Sequence, residues 1–221
     1  MVPIDINLSV SPMASPWPSQ SKLREYQKEI LSDFRFLFND PQNVELYAVR
    51  PVSTIFKGHR TDNLGNKINY FIKKSVGITF EDQKNIDSKK SFWREVECNN
   101  ILLINGIEWM PKLLFHNERD TMVFEWIEDD GRHLDFLTNK RNKSIKNIMK
   151  DLKKLKIIHG DIHAGQFISS RGKLYLTDFG TGTPYIKKWN LKRIPKYEIV
   201  FDKNSDSNCL RFLYKKHKDK A

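Results

Sequence analysis

The sequence predicts an α+β fold built on a five-stranded antiparallel sheet. Five short segments rich in β-branched and aromatic residues are bounded by turn residues, and a single amphipathic helix falls among them. After the fifth segment the pattern changes to a helix, a polar loop and a short hairpin. The 221 residues, 39% hydrophobic and 12% aromatic, suffice for one medium domain or two small lobes with a packed core.

The first 21 residues contain five serines, four prolines and one acidic residue, Asp5, with no lysine or arginine. They lack periodicity, and also the basic start and apolar run of a secretory signal, so 1–21 is expected to be a flexible leader, with a secretion signal of another kind as the alternative. From Ser21 as N-cap, "KLREYQKEILSDFRFLF" puts Leu23, Tyr26, Ile30, Phe34 and Leu37 at helical spacing. "VELYAVRPV", "STIFKGHRT" and "INYFIKKSV" are expected to form three antiparallel strands, the last two joined by a turn at "DNLGNK". "SFWREVECNNILLINGI" is the helix among the strands, and "WMPKLLF" and "TMVFEWI" are the fourth and fifth strands. In "NKSIKNIMKDLKKLK", Ile145, Ile148, Met149, Leu152 and Leu155 share one helical face. "FISSRGKLYLTDF" is a hairpin turning at Arg171 and Gly172.

The apolar runs, such as Ile101–Ile104, are far shorter than the roughly 20 residues that cross a bilayer. Two cysteines, Cys98 and Cys209, give neither a disulfide framework nor zinc-ligand spacing. A reducing compartment is therefore expected. The formal charge of +11 is spread along lysine-rich segments, which fits an acidic protein partner as well as a nucleic acid; charge alone does not define a nucleic-acid site.

Chemistry concentrates in "HGDIHAGQF" at 159–167 and "LTDFG" at 176–180. In one reading His159, Asp161 and His163 alternate onto one face as a metal cluster, with His116 or His133 as fourth ligand. That reading leaves the later Asp-Phe-Gly and an upstream lysine unexplained. In the other, a carboxylate accepts the proton of an attacking hydroxyl while a second holds the metal that neutralises a triphosphate.

The second reading carries a resemblance. "HGDIHAGQF" is similar to the protein-kinase catalytic loop, "LTDFG" resembles its metal-binding motif, and the five residues from Asp161 to Gln166 reproduce the family's spacing. The resemblance implies a two-lobed protein-kinase-like fold: an N-lobe and hinge over 22–127, and a truncated, minimal helical C-lobe over 128–221. It implies ATP as phosphoryl donor and Mg²⁺ or Mn²⁺ as metal. Asp161 would be the base, Asp178 and Gln166 the metal ligands, and His163 would stand where the family has a phosphate-contacting lysine. "YFIKK" resembles the third-strand motif, so Lys73 would grip the phosphates, with Lys74 as competitor. Its helix partner would be Glu97, from the spacing of "ECNNILLINGIEWMPKLL", or Glu95, from the "REV" pattern; Glu97 is preferred. Glu125 to Ile127 would offer backbone hydrogen bonds to adenine, with Phe124 behind.

Departures narrow the resemblance. "VRPVSTIFKG" replaces the glycine-rich loop, so Ser53, Thr54 or backbone amides would cover the phosphates. Gly160 stands where the family has an arginine, which argues against control by a phosphorylated activation loop. Only 41 residues follow Gly180. Together with the leader, these features resemble the minimal effector kinases that bacteria deliver through a type III system into the host cytoplasm. Those kinases inactivate the ninety-kilodalton heat-shock chaperone by phosphorylating a serine. The resemblance thus implies a monomeric serine/threonine kinase with a protein substrate and no membrane partner. A small-molecule kinase, favoured by the acidic "EDDGRHLD", and a nucleotide-binding pseudokinase are the alternatives.

Overall fold

The computed structural model describes residues 18–50, 53–75, 88–138, 143–181 and 183–184. Residues 1–17 of the expected leader, residues 51–52 and everything past 184 lie outside the described residues.

Helix α1 (Gln20–Asp33) is capped by Ser19, whose hydroxyl accepts the Lys22 N–H at 3.3 Å. The expected cap, Ser21, already lies inside the first turn. The helix ends at Asp33, yet Phe34, Leu37 and Phe38 remain buried in the turn that follows. The strands are β1 (Val44–Arg50), β2 (Ser53–Thr61), β3 (Lys67–Ser75), β4 (Leu113–His116) and β5 (Thr121–Glu125). They form one antiparallel sheet in the order β1-β2-β3-β5-β4. Helix α2 (Ser88–Ile104) connects β3 to β4. The α+β expectation and its five-stranded sheet are therefore realised. The fourth strand is shorter than expected, because Trp109, Met110 and Pro111 belong to the loop before it.

Alternation along the strands divides the sheet into two faces. On one, Phe56, Ile72 and Val123 pack against Ile30, Phe34 and Phe38 of α1 and its following turn. Gly58 lies here because a Cβ would sit 2.7 Å from the Phe38 ring. On the other face, Met122 and Phe124 meet Phe92 and Val96 of α2. The later turns of α2 enter a third cluster: Cys98, Ile101 and Leu102 pack with Ile148 and Leu152 of α4 (Lys143–Leu155). One helix is thus shared between two cores. Each large apolar side chain it buries contributes about 1.5–3 kcal/mol, so α2 is held along its length.

A short helix, α3 (His133–Thr138), precedes α4 and was not expected from the sequence. Strand β6 (Ile157–Ile158) pairs with β9 (Thr183–Pro184), and β7 (Phe167–Ser170) pairs with β8 (Lys173–Leu176). The latter hairpin turns where expected. Arg171 and Gly172 both take positive φ, 50° and 76°, as a two-residue primed turn requires. Among the described residues no helix is long and apolar enough to cross a membrane.

Candidate active site

A cleft of about 610 Å³ opens between the α2 face of the sheet and the β7–β8 hairpin. That size falls within the range of small-molecule sites. Lys73 and Lys74, adjacent on β3, point to opposite faces. Lys73 enters the cleft, where its Nζ lies 2.7 Å from Glu95 Oε2 and 2.7 Å from Asp178 Oδ1. Lys74 goes to the α1 side, pairing with Glu29 of α1 at 2.7 Å and with Asp120 at 2.9 Å.

The preference for Glu97 as the lysine's partner is corrected by this geometry: Glu95 makes the bond. Two residues on a helix differ by about 200° in direction, so only one of the pair faces Lys73. Phe92, Val96, Asn99 and Leu102 are all buried, and Glu95 lies on that same side of α2. The Asn99 carboxamide donates to the Glu95 carbonyl at 2.8 Å and locks this turn.

One lysine between two carboxylates leaves the triad with a net charge of −1, and the shifts follow. Burial alone lowers the Lys73 pKa, but Glu95 and Asp178 outweigh it and hold the ammonium above the ordinary lysine value. Burial pushes Glu95 up to about 7; Lys73 opposes this and Asp178 adds to it. Burial likewise raises Asp178, but Lys73 and the Gly180 N–H bring it below the ordinary carboxylate range. The excess charge is thus most readily neutralised on Glu95.

This has a consequence for stability. From the ordinary value of 4.5 up to about 7, folded Glu95 keeps a proton that the unfolded chain has released, so its contribution falls as pH rises through that window. Asp178 has the opposite sign, its contribution being lost only as pH falls below the ordinary carboxylate value, and Lys73 stays charged throughout. Urea unfolding at pH 5 and pH 8 should show the wild type losing roughly 1–3 kcal/mol relative to Glu95→Gln. Equal pH slopes for the two proteins would refute the assignment.

Asp178 opens a short turn, Phe179–Thr181, with φ of 62°, a left-handed conformation that Asp tolerates better than most side chains. Phe179 anchors that turn beneath α2, its ring 4.7 Å from His159. Gly180 sits close under α2, where an added Cβ would come 2.5 Å from Ser91 Oγ and 3.2 Å from Asp178 Oδ1. His159 is fully buried: Nδ1 accepts the Asp161 N–H at 3.3 Å and Nε2 donates to the Thr177 carbonyl at 2.8 Å. Both ring nitrogens are engaged, which removes the reading of His159, Asp161 and His163 as a metal cluster. His159 ties the Asp161 loop to the strand that delivers Asp178.

Asp161 receives the Gln166 carboxamide N–H at Oδ2, 3.4 Å away. His163 Nδ1 accepts the Gly165 N–H at 3.1 Å, so its other nitrogen carries the proton and faces Asp161 at 3.7 Å. Gly160, with φ of 83°, supplies the backbone reversal before Asp161 that an arginine would adopt only under strain. Gln166 and Asp178 present oxygen donors to the cleft. Among the described residues no group of three or more His, Cys, Asp or Glu is arranged to hold a metal unaided. The donors nonetheless fit Mg²⁺, which commonly takes one or two protein oxygens and completes its shell with phosphates and water.

At the other end of the cleft, Ser53 and Ile55 line the wall beside Lys73. Thr54 does not belong with them. It pairs with Lys74 across the ladder and is fully buried on the α1 side, so its expected phosphate contact is withdrawn. Glu125 and Ile127 border the cleft, and the Glu125 amide is already donated to the Lys112 carbonyl at 3.0 Å. Arg50 also lines the cleft and went unrecognised in the sequence. Its signal was position, the last residue of β1. The Trp126 ring, at the rim, is held by Tyr47 edge-on at 5.6 Å and by Lys57 at 4.6 Å. The chain matches no protein-family model and no curated protein.

Proposed function

We propose that the protein is an ATP-dependent kinase of minimal, two-lobed kinase-like form that phosphorylates a hydroxyl of a protein substrate. The observation that carries this reading is the Lys73–Glu95–Asp178 triad, formed in the same cleft as Asp161 and Gln166. A buried, firmly charged lysine beside a half-exposed carboxylate suits a triphosphate and its metal. In this reading Lys73 orients the phosphates, and Arg50 and Ser53 contact them from β1 and β2. Asp178 and Gln166 hold Mg²⁺, whose chemistry is to neutralise charge developing on the phosphates. Asp161 takes the proton as the substrate oxygen bonds to the γ-phosphorus and the bond to the β-phosphate oxygen breaks, leaving ADP and a phosphoester. His163, its protonated nitrogen near Asp161, donates to the transferred group. The Glu125 carbonyl and Ile127 amide receive the adenine.

The acidic segment after β5 keeps a small-molecule acceptor as the second reading, since Glu128 and Asp129 are exposed and line the cleft. A protein acceptor is put first. By the resemblance of its motifs, the substrate proposed is the ninety-kilodalton heat-shock chaperone of a host cell reached by type III delivery. Transfer from γ-labelled ATP into a eukaryotic lysate, run beside Asp178→Asn, tests this. One dominant labelled band near the chaperone's size, absent with the variant, is expected. Turnover only with added small metabolites would move the acceptor class, and nucleotide-dependent thermal stabilisation without turnover would leave a pseudokinase.

A further inference from the structure

Helix α4 presents two unlike faces. Ile145, Ile148 and Leu152 are buried in the core, and on the opposite side Lys143, Lys146, Lys150, Lys153 and Lys154 are exposed, continued by Lys156 just past the helix end. At 100° per residue, Lys146, Lys150 and Lys153 fall within about 60° of one another, so the lysines form a stripe along about 20 Å of helix. Like charges spaced three and four residues apart on a helix repel and destabilise it. None of these lysines makes an ion pair among the described residues, and the one acidic residue of α4, Asp151, accepts the Trp109 indole N–H at 2.9 Å. Lys153 and Lys154 lie in the last turn, where the helix dipole favours cations, but Lys143, Lys146 and Lys150 gain nothing from it, and this row of like charges, unpaired among the described residues, points to a use outside the fold.

We infer that the exposed face of α4 docks an acidic segment of a protein partner. Its side-chain chemistry selects this occupant. The stripe carries no arginine to fork onto a base and no aromatic ring on which a base stacks, the groups that nucleic-acid sites add to charge. It also has no exposed large apolar side chain to enter a bilayer, the apolar residues of α4 being turned into the core. What remains is a linear array of lysines whose Cβ atoms follow one another at about 5–6 Å, a match for carboxylates spaced along an extended or helical segment. Helix α4 leads through β6 directly into the loop holding Asp161, so a bound segment would tether its protein close to the cleft. This last step rests on the proposed kinase function; the docking itself does not.

The test is fluorescence anisotropy with a labelled peptide of ten alternating Glu and Ser residues, using the full chain without nucleotide. Wild type is compared with Lys146→Glu/Lys150→Glu/Lys153→Glu, and with Lys28→Glu/Lys67→Glu/Lys112→Glu, which reverses three exposed lysines elsewhere. The α4 variant is expected to lose at least tenfold in affinity and the control variant less than threefold. An Ala version of the α4 triple, folded by circular dichroism, guards against misfolding and should lose affinity in the same order. Equal losses in the α4 and control variants would reduce the effect to net charge and overturn the proposal. So would tighter binding to a single-stranded RNA, or to phosphatidylserine vesicles, than to the peptide. If peptide binding holds while no phosphate is transferred to any protein, the docking face survives and the kinase reading fails.

Discussion

Asp178→Asn is expected to lower phosphoryl transfer by about a thousandfold or more while leaving the fold in place. In the proposed kinase reading the carboxylate is the charged oxygen donor offered to the metal, and stabilisation of that kind supplies several kcal/mol to a transition state. Asparagine is the cleaner replacement: it tolerates the φ of 62° that Asp178 adopts, where alanine would add backbone strain. The variant also leaves Lys73 and Glu95 as a one-to-one pair at 2.7 Å, so neither is stranded. Removing the second carboxylate deletes one of the influences that raise Glu95, and its pKa should move down from about 7. Loss of transfer should thus be accompanied by a shift of the stability profile to lower pH. Asp161→Asn should lose about a hundred- to ten-thousandfold, the range for a general base, with no such shift, since Asp161 is outside the triad. Transfer that persists in both variants would end the kinase reading. Transfer lost in both, with the shift confined to Asp178→Asn, would tie each carboxylate to its own role.

The elements were legible wherever local chemistry fixes them. β-branched and aromatic runs gave the five strands, the spacing of Ile145, Ile148 and Leu152 gave α4, and Arg171-Gly172 gave the hairpin turn. What local reading lacked was phase between elements. Glu95 and Glu97 fit one helix equally well in composition, and analogy chose wrongly. The buried side that includes Phe92, Val96, Asn99 and Leu102 would have chosen Glu95, because a side chain meeting β3 must share the face that packs on the sheet. Thr54 failed for a related reason. It pairs with Lys74 while Ile55 pairs with Lys73, so alternation along β2 puts it on the α1 side, and which of the two faces is the cleft side is settled only by where α1 and α2 pack on the sheet. Arg50 was missed because proximity across a cleft leaves no periodic trace in a sequence.

Neighbouring lysines on one strand give the sharpest test of this face assignment. Lys73→Met should abolish transfer, because the phosphates lose their buried cation and Glu95 and Asp178 are left facing each other without one. Two carboxylates so placed do not both stay charged, and the proton taken up by Glu95 limits the damage to the fold. Lys74→Met should do the reverse. Its ammonium is nearly fully buried and anchors Glu29 of α1 and Asp120 of the β4–β5 turn, so its loss loosens α1 from the sheet. The partners' side chains are 40% and 38% exposed and can be rehydrated, which holds the cost to about 1–3 kcal/mol, below that of breaking a fully buried pair. Urea midpoints and transfer rates per folded molecule separate the two effects: a lower midpoint with a retained rate for Lys74→Met, and a lost rate for Lys73→Met. If Lys74→Met is instead inactive per folded molecule while Lys73→Met still transfers phosphate, the chemistry lies on the α1 side of the sheet and the cleft has been assigned to the wrong face.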